Sequence, residues 1–290
     1  LADAAAGHRR GWLRRAIRIA ALAAVLLAIW AVGIEPRWVA ARRIDHRVPG
    51  WQGPPLKVAV ASDWHLSPRA AWRVMTPERA RHLVEEINAA HPDVVLLPGD
   101  FIADRDYETA SGEPAEVEIA AILGGLRAPL GVYAVLGNHD WWHGGASFRA
   151  ALEQRGIRVL ENEARQIDAG LWLAGVGDHY TGHSDPARAL REVPADRPAL
   201  VMMHDPASLL DMPPVQGLLV AGHTHGGQVF LPGIGAPMVP GAAPRQWAYG
   251  WVQHRGLPAF VTSGLGVSIL PLRLNMRPEW LLFVLDAAVG

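Results

Sequence analysis

Nine residues with cation-binding or proton-transferring side chains fall in five short blocks of this chain. They are Asp63 and His65 in "SDWH", Asp100 in "GD", Asn138, His139 and Asp140 in "GNHD", His204 in "HD", and His223 with His225 in "GHTH". Each block follows an apolar run, where an unpartnered polar group costs roughly 2 to 7 kcal/mol. Something must therefore satisfy them. One Asp at a strand end is ordinarily a turn or N-cap residue, and one histidine there is ordinarily a hydrogen-bonded core residue. Five such blocks, with glycines that let the backbone approach closely, point instead to a shared cation. The chain has no cysteine and 13 histidines, so there is no thiolate nucleophile and any metal rests on His, Asp, Glu and Asn. Hard oxygen and borderline imidazole donors suit Mn, Fe, Zn or Mg.

The elements that must position these side chains are legible as apolar runs. "LKVAVAS", "VVLLPG", "VYAVLG", "ALVMMH" and "LLVAGH" are rich in Val and Leu and stop at a Gly or a polar residue, which predicts buried strands. Residues 76–90 open with Thr-Pro-Glu and then repeat Ala80, Leu83, Val84 and Ile87 at helical spacing, a helix with its start signal. Further helical patterns cover 115–126 and 146–155. Alternating strands and helices imply an α/β protein whose sheets are covered by helices. Ligands in such folds sit at the carboxyl ends of strands, where all five blocks fall. In an extended segment, residues two apart point to one side, so Asp63 with His65 and His223 with His225 can converge.

The ordered set D-x-H, G-D, G-N-H-D, H and G-H-x-H resembles the calcineurin-like metallophosphoesterase superfamily, with no block missing between Asp63 and His225. "IEP" at residues 34–36, "HTHGGQVFLP" and "SGLGVSILPLRLNMRPEW" resemble its membrane-associated bacterial branch more narrowly. The resemblance implies a four-layer α-β-β-α sandwich and a centre of two divalent or trivalent metal ions. One ion would be held by Asp63, His65, Asp100 and His225, the other by Asp100, Asn138, His204 and His223, with Asp100 bridging. It also implies hydrolysis by a hydroxide that the two metals generate from water near neutral pH. His139 would stand at the leaving-group oxygen, with Asp140 fixing its tautomer. Trp64 departs from the smaller aliphatic residue usual between the first two ligands.

The first fifty residues differ in kind. Residues 19–34, "IAALAAVLLAIWAVGI", carry no charged residue and follow an arginine-rich flank. This reads as a hydrophobic helix that anchors the chain in a membrane, or as a signal segment, in preference to a buried core helix, which would show a polar face. "PGWQGPP" at 49–55 breaks helices and sheets alike, so the expected division is an anchor or signal segment and linker at 1–48 and a catalytic domain at 49–290. The arginine-rich flank favours a single N-terminal span in a bacterial inner membrane with the domain outside the cytoplasm, although Arg37, Arg42, Arg43 and Arg47 beyond the span reduce the asymmetry.

Net charge of −1 gives no reason to expect nucleic acid. For substrate, Trp141, Trp142 and His143 could wall a base, sugar or acyl chain, and Arg273 and Arg277 could contact phosphate oxygens bidentately. The Gly/Pro-rich stretch 226–250 is long for a loop, carries several apolar side chains, and could form a rim at the membrane. The leading expectation is a hydrolase of phosphate esters or diphosphates acting on a lipid-linked substrate. A UDP-2,3-diacylglucosamine diphosphatase of lipid A synthesis is the specific alternative, and a non-catalytic binding scaffold retaining the fold is the alternative from another class.

Overall fold

The computed structural model describes residues 2–67, 74–103, 109, 112–168 and 170–287, with side chains between residues 11 and 286. Its described strands form two six-stranded sheets. The first runs in the order β1 (Ala40–Val48), β12 (Glu279–Ala287), β2 (Leu56–Val60), β3 (Val94–Leu97), β4 (Val132–Ala134) and β5 (Ile157–Val159). The second runs β10 (Gly250–His254), β11 (Leu257–Val261), β9 (Gly217–Ala221), β8 (Ala199–Met203), β7 (Leu171–Val176) and β6 (Glu163–Asp168). The five apolar runs are β2, β3, β4, β8 and β9. They are the inner, mutually parallel strands of their sheets, and burial on both faces explains their unbroken apolar composition.

Three apolar clusters define the layers. Val58, Val60, Leu96 and Phe283 of the first sheet meet Leu173, Met202, Val220 and Phe260 of the second, so the two sheets pack face to face. The outer face of the first sheet is covered by α2 (Pro77–Ala89), α3 (Ala115–Leu123) and α4 (Asn138–Gln154) through Leu83, Ile87, Ile119, Leu123, Phe148 and Leu152. The second sheet carries a thinner cover of α5 (Pro186–Leu190), short 3-10 turns and Trp247. The result is the expected α-β-β-α sandwich. Thr76 caps α2, its hydroxyl accepting from Arg79 N at 3.3 Å, as its sequence signal requires. α4 begins eight positions before the expected 146, because Asn138 and its neighbours open the helix and a kink at Gly144 (φ 152°) joins the two parts.

α1 (Ala2–Ala28) continues through a π-helical stretch to Ile34. The segment Gly11–Arg37 is long and apolar enough to cross a membrane, and none of its most apolar window is buried. At 1.5 Å per residue it measures about 40 Å, more than a hydrocarbon core of about 30 Å.

The division expected after residue 48 needs correction. Residues 40–48 are not linker but β1, paired in parallel along its whole length with β12, with Val48 buried and Ile44 packed on the inter-sheet core. The strand escaped notice because its charged residues face solvent at a sheet edge and its partner lies near the other end of the chain. A chain shortened to residue 49 is therefore expected to melt below one beginning at residue 29, by roughly 5 to 10 °C for two lost apolar side chains. Equal melting temperatures by calorimetry would show that β1 contributes nothing to the domain.

Candidate metal centre

Asp63, Asp100, Asn138, His204, His223 and His225 sit just beyond the ends of β2, β3, β4, β8 and β9, and His65 lies two residues after Asp63. All seven are buried. His65 Nε2 lies 3.0 Å from His225 Nε2 and 3.3 Å from Asp100 Oδ2, and His225 Nε2 is 3.6 Å from Asp63 Oδ1. On the other side of Asp100, His204 Nε2 is 3.4 Å from Oδ2, 3.1 Å from Asn138 Oδ1 and 3.1 Å from His223 Nδ1. Two groups of potential ligand atoms result, Asp63–His65–His225 and Asp100–His204–His223, and a third joins His65, Asp100 and His139.

The convergence does not come from strand pleating, as residue spacing suggests. Asp63, His65, Asp100, His223 and His225 all have left-handed backbones, with φ between 44 and 69°. For non-glycine residues this costs on the order of 1 to 3 kcal/mol each, and such strain gathers at functional sites. Side-chain hydrogen bonds hold it: Asp63 accepts from His223 N at 2.9 Å, and Asp100 Oδ1 accepts from His139 N at 2.9 Å. Two glycines make room. A Cβ on Gly137 would lie 2.2 Å from Asp100 Oδ1, and one on Gly222 would lie 2.4 Å from Asp63 Oδ2.

The electrostatics of the cluster call for cations. Burial pushes the imidazoles of His65 and His225 down, the latter well below its usual range, and it takes His223 to about 3. Neutral rings offer a lone pair, the form that binds metal, and the Nε2 atoms of His65 and His225 stand 3.0 Å apart, close enough to serve one ion together. His204 is the exception. Burial opposes its protonation, but the Asp100 carboxylate outweighs it and holds the ring well above the usual histidine range. A proton at Nε2, among Asp100, Asn138 and His223, stands where a cation would. His65 Nδ1 and His223 Nε2 are buried without a partner. The donor set and its charge therefore fit metal ions.

His139 is half-buried at the edge of the cluster, 4.7 Å ring to ring from His65. Its Nδ1 donates to the Ala103 carbonyl at 2.9 Å. Asp140 does not touch the His139 ring, which corrects its expected role. Its two oxygens accept from the backbone N–H groups of Gly137, Asp100 and Phe101 at 2.8 to 2.9 Å, pinning the loop that carries Asp100. Burial and the Asp100 charge push its carboxyl up to about 8, against the Gly137 and Phe101 donors.

Of the substrate-wall candidates, only Trp142 reaches the centre, its ring 5.1 Å from His139. Trp141 stacks on His183 at 3.6 Å, and His143 pairs with Glu116 at 3.1 Å. Neither arginine is placed to hold phosphate. Arg273 is fully buried and donates to the carbonyls of Ser263, Gly266 and Met276, while Arg277 lies over the Trp38 ring at 3.8 Å. Tyr180 was missed. It is half-exposed, 5.3 Å from the His223 ring and 5.8 Å from Trp142, and completes a rim with Trp142. Its signal was present: "GDHYTGH" follows the apolar run of β7 as the other blocks follow theirs.

A family model described as calcineurin-like phosphoesterase matches residues 56–227. A bovine transmembrane protein with metallophosphoesterase domain is 31% identical over 84% of this chain and 55% of its own length. The uncharacterized metallophosphoesterase YkuE of Bacillus subtilis (strain 168) is 29% identical over 80% of this chain and 79% of its own. Phosphodiesterase YaeI of Escherichia coli (strain K12) is 29% identical over 84% and 87%. This chain thus spans little more than half of the bovine relative. The matched span takes in every residue of the buried cluster, from Asp63 to His225, and covers more than half of the chain, which belongs to the calcineurin-like phosphoesterases.

Proposed function

We propose that this protein is a membrane-anchored hydrolase of phosphate esters or diphosphates that works with two metal ions on a lipid-linked substrate. The observation that carries the reading is the convergence of six buried side chains around the buried Asp100, with the Nε2 atoms of His65 and His225 3.0 Å apart. Asp63, His65, Asp100 and His225 would hold one ion, and Asp100, Asn138, His204 and His223 the other. When bound, such ions supply Lewis-acid polarisation of a phosphoryl oxygen and acidify water. The chain's own groups do the rest. His139, with Nδ1 spent on Ala103, has Nε2 left to hold a proton at the departing oxygen. Asp140 positions the Asp100 loop, and Trp142 with Tyr180 shields the leaving group from water.

The membrane part of the reading rests on the exposed apolar helix and on the printed name of the bovine relative. A phosphodiester is placed among the test substrates because the E. coli relative is named a phosphodiesterase. A single span in a bacterial inner membrane, with the domain outside the cytoplasm, accords with the arginine-rich flank. The test is hydrolysis by the chelator-stripped protein, reloaded with Mn, Fe, Zn or Mg, of phospholipids, UDP-diacylglucosamine, nucleotides and an aryl phosphodiester. Metal-restored turnover on phospholipid is expected. Bound metal with no turnover on any ester would leave the scaffold reading in its place.

A further inference from the structure

Two loops next to the metal centre carry large apolar side chains into solvent, and both are tied to the end of the apolar helix. Residues 229–238 expose Phe230, Ile234 and Met238, the last at 74%, and residues 268–272 expose Ile269 at 89% and Leu270. Single exposed apolar residues are ordinary, but these five sit on loops zipped to each other. Phe230 N donates to Leu274 O at 2.8 Å, Leu274 N to Gln228 O at 2.8 Å, and Gln228 Nε2 to Leu270 O at 3.2 Å.

The zipped pair is fixed to the helix by buried bonds. Arg273 N donates to Ala31 O at 2.9 Å, and Met276 N to the buried Glu35 carboxylate at 2.7 Å, which also accepts from Trp30 Nε1 at 2.6 Å. The junction carries Trp30 and Trp38 in edge contact, with the Arg277 guanidinium over Trp38. Trp rings of this kind mark the membrane–water interface, and the loop meets the helix at their level. The same loop reaches the centre. Gly266 N donates to Asp63 O at 2.6 Å, and the buried Arg273 guanidinium, which ties residues 263–276 together, lies 3.5 Å from His225 Nδ1.

We propose that loops 229–238 and 268–272 form a membrane-embedded rim, continuous with the span, that seats the metal centre at the level of lipid headgroups so that it takes phosphate substrates from the bilayer. The occupant of this apolar face is the bilayer itself. The proposal rests on the reading of the helix as a span and names the route by which the lipid-linked substrate arrives.

The chain has no cysteine, so single nitroxide labels can be attached to the full-length protein at Leu22→Cys, Met238→Cys, Ile269→Cys and, as an aqueous control on β6, Arg165→Cys. In vesicles of phosphatidylethanolamine and phosphatidylglycerol, labels at positions 22, 238 and 269 are expected to relax with oxygen, and the one at 165 with a water-soluble nickel chelate. Water-exposed labels at both 238 and 269 with a lipid-buried label at 22 would overturn the rim and leave the anchor standing. A water-exposed label at 22 would remove both. In the kinetic arm, Met238→Ser with Ile269→Ser is expected to lower turnover on vesicle phospholipid by roughly tenfold or more, for two apolar side chains lost from the interface, and to leave a soluble aryl phosphodiester unaffected. Equal effects on both substrates, or none on either, would overturn the rim's role. Should neither substrate be hydrolysed by the unaltered protein, the phosphoesterase reading fails while the labels still report the rim.

Discussion

Asp100→Asn is expected to lower metal content below one ion per chain and to reduce turnover more than replacement of any other single residue of the cluster. Asp100 alone stands beside both halves, with Oδ2 at 3.3 Å from His65 Nε2 and 3.4 Å from His204 Nε2. Asparagine keeps the shape and the oxygen that accepts from His139 N, so the fold persists while the shared negative charge is lost. His225→Ala removes a donor from one half only and is the proper comparison. Altering groups that merely support metal ligands costs about 10- to 100-fold, so a shared ligand is expected to cost at least about 100-fold. Elemental analysis and turnover on an aryl phosphodiester read the two effects separately. A variant with two ions per chain and near-native turnover would show that Asp100 does not bridge.

The residues that meet in this cluster were legible in sequence because each follows an apolar run, and the ends of buried parallel strands are where such folds place ligands. The rest was hidden for identifiable physical reasons. β1 carries charged residues at a sheet edge, so its pattern lacks the apolar density of β2 or β3. The left-handed backbones of Asp63 and His65 leave no mark in composition, since Gly is the residue by which such conformations are usually recognised. Arg273 invited a phosphate role because guanidinium fits phosphate. Its burial shows the opposite use of the same donors, which gather the carbonyls of Ser263, Gly264, Gly266 and Met276 into one turn. Asp140 is the subtlest case. Adjacent to His139 in sequence, it opens α4 and faces back toward the backbone of β3's end, so adjacency in the chain gave the wrong partner for its carboxylate.

Asn138 and His139, neighbours at the start of α4, are expected to fail in different ways. Asn138 Oδ1 lies 3.1 Å from His204 Nε2 in the half formed by Asp100, His204 and His223, so Asn138→Ala is expected to lower occupancy of that half. His139 lies at the edge of the cluster beside His65 and Asp100, with its Nδ1 held by the Ala103 carbonyl. His139→Ala is therefore expected to leave both ions bound and to slow the chemistry. A positioned proton donor is worth about 10² to 10⁴ in rate, and its value depends on how badly the leaving group needs the proton. An alkyl ester departs as an alkoxide unless protonated, whereas a nitrophenolate leaves readily alone. The loss in His139→Ala should thus be far larger for the alkyl ester. Equal losses on both esters with metals retained would assign His139 to stabilising phosphoryl oxygens, without proton donation. Loss of a metal in His139→Ala would move His139 among the ligands, where its approach to His65 and Asp100 already places it within reach.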